Sequence, residues 1–172
     1  MRSLPVVIAA IAVLAGCQST PDGEARANAR LEPTKGNKTF GEATFEQRGN
    51  KVHAVIYVQG LKADQEHGLH IHEVGDCSSG DGMSAKGHFN PFGKPHGNPS
   101  GPERHAGDMP ALKAAKNGRA KVDVELDTIT VAPGPASIIG KAVIVHADPD
   151  DYKTQPTGNA GARLACGVIK PG

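Results

Sequence analysis

The stretch HGLHIHEVGD, residues 67–76, carries His67, His70 and His72 within six positions, beside Leu69, Ile71 and Val74. On an extended chain side chains alternate between faces, so Leu69 and Ile71 point one way while His70 and His72 point together the other way. Two imidazoles side by side can hold one metal ion. An isolated H-x-H pair is equally compatible with a half-buried strand whose outer positions happen to be histidine, so the rest of the chain decides. Six of the eight histidines fall between 67 and 105, and His146 ends the apolar run KAVIVH. This clustering favours metal binding over scattered surface roles. Neutral imidazole suits zinc, copper, iron and nickel, and a nearby carboxylate such as Asp108, three residues after His105, suits zinc.

The elements that must position these residues read as strands. At 172 residues the chain fits one domain with a core of its own. Aromatic residues are scarce, with two Tyr, four Phe and no Trp, so the core must be Val, Ile, Leu and Ala, while 22 Gly and 13 Pro announce many turns. This composition favours an all-β domain. Strands are predicted over 26–32, 39–47, 51–59, 67–73, 111–116, 119–126, 140–146 and 164–169. In KVHAVIYVQ, Val52, Ala54, Ile56 and Val58 share one face, and in KVDVELD, Val122, Val124 and Leu126 face inward. Asn117-Gly118 is a strong hairpin signal. Eight short alternating strands predict a Greek-key β-sandwich or barrel of immunoglobulin-like kind. From Gly75 to Asp108 no strand is apparent in a segment rich in Gly and Pro that carries His88, His96 and His105. Long loops in compact domains are usually functional or disordered, and this one holds residues able to tie it down.

The first residues, MRSLPVVIAAIAVLAGCQST, place Arg2 before an apolar run from Leu4 to Ala15 that is too short for a bilayer-spanning helix and reads as an export signal. Leu14, Ala15 and Gly16 before Cys17 resemble the lipobox of bacterial lipoproteins. That resemblance implies a signal peptide over 1–16, a lipidated Cys17 with a polar tether over 17–24, and a folded domain over 25–172. Two or more acyl chains would anchor the protein stably to a membrane. With Cys17 taken by lipid, Cys77 and Cys166 remain as an even pair in an oxidising compartment, and a disulfide is the economical expectation. It would close a loop of about 90 residues, for which chain entropy gives an upper figure of about 4 to 5 kcal/mol. Two metal thiolates are a weaker alternative, since neither cysteine sits in a C-x-x-C pair. Removing 1–16 leaves 18 basic against 18 acidic residues. A formal charge of zero, without basic tracts interleaved with aromatics, gives no sign of a nucleic-acid partner.

The segments HGLHIHEVGDC, GHFNP, HGNP, ERHAGD, VIVHADPDD and TGNAGARLACGVI occur in the order found in copper/zinc superoxide dismutases, and with the lipobox the chain resembles an exported bacterial member over roughly 26–170. The resemblance implies copper on His70, His72, His88 and His146, and zinc on His88, His96, His105 and Asp108. His88 would then be a bridging imidazolate, stripped of both protons and held by two cations. Asp150 matches an aspartate that accepts hydrogen bonds from one histidine of each site, here His70 and His96. Arg163 matches an arginine at the mouth of the copper site, able to attract and orient a small anion. His67 is expected to have a structural hydrogen-bonding role, and His53 matches no ligand motif. The chain departs from the eukaryotic pattern at YKTQP, 152–156, which is short and lacks paired glutamates, leaving Lys153 as the candidate steering lysine. Met109-Pro110 also replaces a glycine-bearing turn.

The function implied is disproportionation of superoxide at copper, protecting the cell envelope from periplasmic or extracellular superoxide. A copper-binding or trafficking module on the same scaffold is the alternative; retention of the shared histidine, four zinc ligands and Arg163 argues against it. A zinc hydrolase would need an open zinc position, whereas four residues close this one. The resemblance allows a monomer or a homodimer. Gln18 and Ser19 after the acylated cysteine resemble outer-membrane sorting in Gram-negative cells.

Overall fold

A computed structural model describes residues 25–172; the export signal, Cys17 and the tether lie outside the described residues. Among the described residues ten strands follow one another: β1 Arg26–Pro33, β2 Phe40–Arg48, β3 Lys51–Gln59, β4 Glu66–His67, β5 Leu69–His72, β6 Leu112–Lys113, β7 Ala120–Leu126, β8 Ala142–His146, β9 Arg163–Val168 and β10 Lys170–Pro171. Seven of them form a path in the order β5-β8-β9-β1-β2-β3-β7, with β10 also paired to β1, and this eight-stranded sheet curls into a half-barrel. β4 and β6 make a separate two-stranded ladder.

Alternation sets which face is inside. Along β3, Val52, Ala54, Ile56 and Val58 are buried while the residues between them are more exposed, as the sequence predicts. Burying a Val or Ile fully contributes about 2 kcal/mol, so a one-residue slip of β3 against β2 would forfeit several kcal/mol and turn His53 inward. His53 instead pairs on the outer face with Asp123, at 2.8 Å.

Three expectations need correction. The strand predicted over 67–73 breaks at Gly68 into β4 and β5, because the chain leaves β6 there to pair with β8. The strand predicted over 111–116 shortens to Leu112–Lys113, and the split at Gly68 together with the added β10 raises the number from eight to ten, eight of them in the main sheet. Asn117-Gly118 does make the expected turn, closed by Gly118 N–H donating to Ala115 O at 2.9 Å. The strand before it pairs with β4, however, and no hairpin ladder with β7 forms.

Two placements matter for chemistry. β5 lies at one edge of the sheet, buried on both faces. Leu69 and Ile71 enter the main core, with Val143 and Val145 of β8 beside them. His70 and His72 face the other way, on the side where the loop 75–108 forms a roof. That loop also covers the free edge of β5: Ile71 N–H donates to Gly107 O at 2.9 Å, and Phe89 N–H to Ile71 O at 2.8 Å. An open edge would template unwanted pairing; here the segments that close it bring in His88 and Asp108, through bridges His72 with His88 and His70 with Asp108. Cys77 and Cys166 form a disulfide that ties the loop to β9. At the opposite end of the molecule, β10 lies along β1 and Gly172 N–H donates to Arg26 O at 2.9 Å, so the described chain begins and finishes at one place.

Candidate metal centre

Each histidine of the site is held by one ring nitrogen. His72 Nδ1–H donates to Lys86 O at 2.8 Å and His146 Nδ1–H to Gly161 O at 3.3 Å. A carbonyl accepts only from an N–H, so both rings carry their proton on Nδ1 and are bare at Nε2. Those bare nitrogens face each other at 3.4 Å. His70 Nε2–H donates to Asp150 Oδ2 at 2.7 Å, which leaves its Nδ1 buried without a partner. His88 Nε2 is buried and unpartnered as well. Lone pairs converging at such short range repel one another, and a cation among them converts that cost into ligation. His70, His72, His88 and His146 each offer an atom within 4.8 Å of the others.

The second face of the His88 ring serves a different group. Its Nδ1 lies 2.9 Å from Asp108 Oδ1 and 3.3 Å from His105 Nδ1. His96 gives its Nε2–H to Asp150 Oδ1 at 2.9 Å, and its Nδ1 lies 3.1 Å from Asp108 Oδ2 without hydrogen-bonding geometry. His88, His96, His105 and Asp108 again each offer an atom within 4.8 Å of the others. Asp108 is oriented by the backbone N–H groups of His105 at 2.9 Å and Gly97 at 3.2 Å.

The charges follow from burial and partners. Desolvation holds His72 and His146 well below the usual imidazole range, and lowers His70 against the pull of Asp150. Burial brings His88 down to about 4, opposed by the hydrogen bond to Asp108. All four are therefore neutral at pH 7, the form in which imidazole binds metal. His96 differs: burial opposes its charge, but Asp108 and Asp150 outweigh that and raise it to about 9. Below pH 9 a cation entering the second group must displace that proton, so its affinity falls as pH falls. For Asp108, burial works against the ionised form, and the neighbouring His105, His88 and His96 overcome it to hold the carboxyl well below the usual range. Asp150 is depressed in the same way by His70 and His96.

Asp150 stands behind both groups, its two oxygens each fixing one ring, with Tyr152 N–H donating to Oδ1 at 2.7 Å. The close approach explains one glycine. Gly158, at φ +66°, has no room for a Cβ, which would collide with Asp150 Oδ1 and His96 Nε2. His67 lies outside both groups and has the hydrogen-bonding role expected of it, Nδ1–H donating to His146 O at 2.9 Å.

A cleft reaches the first group from solvent, with His72 and His146 in its wall and Arg163, Lys35, Asp81 and Met83 around it. Arg163 is pinned by donating to Gly82 O and Lys86 O, both at 2.6 Å. The lysine lining this cleft is Lys35, and Lys153 is not in its lining. Lys35 follows β1, and its N–H donates to Gly80 O at 2.6 Å, which places it against the loop that carries Asp81. Its immediate sequence, TKGNK, reads only as a turn, so nothing local marks it as part of the site. Met83 was likewise silent in the sequence.

The model of the family Copper/zinc superoxide dismutase (SODC) matches residues 39–169. Superoxide dismutase [Cu-Zn] 2 of Aquifex aeolicus is 39% identical over 176 residues, covering 99% of this chain and all of the relative. Superoxide dismutase [Cu-Zn] 1 of the same organism is 42% identical, covering 86% of this chain and 89% of the relative. Among solved structures, the crystal structure of the clock protein EA4 superposes with a TM-score of 0.77 at 41% identity, covering 86% of this chain and 94% of that one.

Proposed function

Because the chain belongs to the copper/zinc superoxide dismutase family, an oxidoreductase family that binds both metals, we propose that copper sits among His70, His72, His88 and His146, zinc among His88, His96, His105 and Asp108, with His88 between them. The observation that carries this reading is the His88 ring, which turns Nε2 toward one group and Nδ1 toward the other. The donor sets fit: imidazole alone for copper, imidazole with one carboxylate for zinc.

When bound, copper supplies one-electron chemistry, by which one superoxide is oxidised to dioxygen and a second is reduced and takes two protons to become hydrogen peroxide, while zinc adds fixed charge without redox. The chain supplies the rest. Arg163 and Lys35 draw the anion into the cleft, and Arg163, pinned at two carbonyls, presents its guanidinium beside His72 and His146. With Nδ1 engaged on the Asp108 side, a proton carried by His88 resides on Nε2, where it can pass to the departing peroxide. Asp150 keeps His70 and His96 from rotating as this happens.

The shared ring can be tested magnetically. With Cu(II) in the first group and Co(II) replacing zinc, a common imidazolate couples the two spins and suppresses the copper resonance. His88→Ala loaded to the same metal content should restore it. A full copper signal in the doubly loaded native protein would remove the bridge.

Arg163 is expected to act on rate and hardly at all on metal content. A charge about 6 Å from the path of superoxide in water-like surroundings contributes roughly 0.7 kcal/mol, so neutralising it should cost about threefold in kcat/KM and reversing it to Glu about tenfold. Screening over about 8 Å at physiological salt should slow the native enzyme as ionic strength rises and help Arg163→Glu. Parallel salt curves with equal rates at matched metal loading would take Arg163 out of the substrate path.

The proposed setting is the cell envelope, with a lipid on Cys17 and superoxide reaching the enzyme from the periplasm or beyond. Its support is the apolar run ending in Leu14, Ala15 and Gly16 before Cys17. Cys17→Ser should shift the protein from the membrane fraction to soluble or precursor form; an unchanged membrane fraction would contradict lipidation.

A further inference from the structure

Met83 and Met109 are the methionines among the described residues; Met109 is fully buried, whereas Met83 is 58% exposed. Met83 opens a 3₁₀ turn, Met83–Ala85, at the lip of the cleft that has His72 and His146 in its wall. We propose that its thioether is the entry ligand for copper in the cuprous state, meeting the ion at the lip before His72 and His146 take it. The inference rests on the assignment of copper to His70, His72, His88 and His146.

The position is built, because three contacts hold the turn. Met83 N–H donates to Asp81 Oδ1 at 2.9 Å, Lys86 N–H to Met83 O at 3.1 Å, and Arg163 to Gly82 O at 2.6 Å. The turn also orients a copper-side ring, since Lys86 O accepts the Nδ1–H of His72. One short segment thus presents the sulfur and aims the nitrogen that would receive the ion.

Charge and softness select the ion. Lys35 and Arg163 guard the cleft for an anionic substrate and oppose any cation, with Asp81 as the acidic residue in the lining. A monovalent cation meets half the repulsion that a divalent one meets. A neutral thioether adds no charge that those cations could pair with, and soft sulfur prefers Cu(I) over zinc, which favours nitrogen, oxygen or thiolate. Met83 would therefore let copper in by the route superoxide uses while discriminating against zinc. The transfer is a ligand exchange: the copper–sulfur bond breaks as copper–nitrogen bonds form to the bare Nε2 atoms, and no electron or proton moves.

The test uses the whole protein, zinc-loaded and copper-free, mixed without oxygen with Cu(I) held by a chromogenic chelator. Capture is followed as loss of the chelate colour. Met83→Leu should slow capture about tenfold while the final copper content stays at one per chain, and Met109→Leu should capture at the native rate. A second readout is the methionine methyl resonances: one equivalent of Ag(I), a redox-inert stand-in for Cu(I), should move the Met83 signal and leave that of Met109 in place. Equal capture rates for native and Met83→Leu proteins, or an unmoved Met83 methyl, would overturn the role of the sulfur. Failure of the underlying site assignment would look different: native protein would not reach one copper per chain, or His72→Ala would hold copper as tightly as native.

Discussion

Asp108→Ala is expected to empty the zinc position and to weaken the fold even before metal is added. The carboxylate is fully buried and meets His88, His96, His105 and the N–H of Gly97. Its removal strands two backbone donors and takes the counter-charge from His96. Breaking a buried charged pair costs about 3–5 kcal/mol. For a domain of this size each kcal/mol shifts Tm by about 2–4 °C, so the metal-free variant should melt roughly 6–20 °C below the native chain. Zinc per chain should fall far below one while copper, held by His70, His72 and His146, is largely retained. Calorimetry of the metal-free proteins and metal analysis by mass check both halves. One zinc per chain in the variant would place zinc elsewhere.

Asp150→Ala should behave differently, because that residue serves both groups without belonging to either. Its oxygens lie 2.7 Å from His70 Nε2 and 2.9 Å from His96 Nε2. Freed of it, both rings can rotate and exchange their tautomers. Losing such a supporting partner costs about 10–100-fold in metal affinity. The expected signature is a loss of that size at both metals at once, read by competition with a chelator for each ion. Asp150→Asn should recover part of it by restoring an acceptor for one ring. A loss confined to zinc would mean that His70 is held by other contacts.

How far these properties were legible in the sequence varied with the physics behind them. β3 and β7 were readable because one face of each must be buried, and the alternation of Val52, Ala54, Ile56 and Val58 records that directly. The same alternation put His70 and His72 together. The break at Gly68 was not readable, since the residues on either side suit a strand and only the change of partner from β6 to β8 interrupts it. The last strand is two residues long and owes its existence to β1 lying alongside. The loop 75–108 could be recognised as functional from its histidines, but its path is set by the edge of β5, the disulfide and hydrogen bonds to Asp108, none of which has a local pattern. Sequence motifs led to Asp150 and Arg163. Lys35 and Met83 carry no motif and became visible only where distant segments meet around the cleft.

The meeting of the first and last described residues beside Arg26 bears on where the domain can be attached. β1 runs from that place to Pro33, and the cleft begins at Thr34 and Lys35. Eight residues at about 3.3 Å each put roughly 25 Å between the point where a tether would enter and the opening. If Cys17 carries a lipid, as proposed, the described domain is attached at the end of β1 far from that opening. Any extension added after Gly172 would start beside Arg26, a strand's length away from the cleft, leaving the approach to the histidines clear.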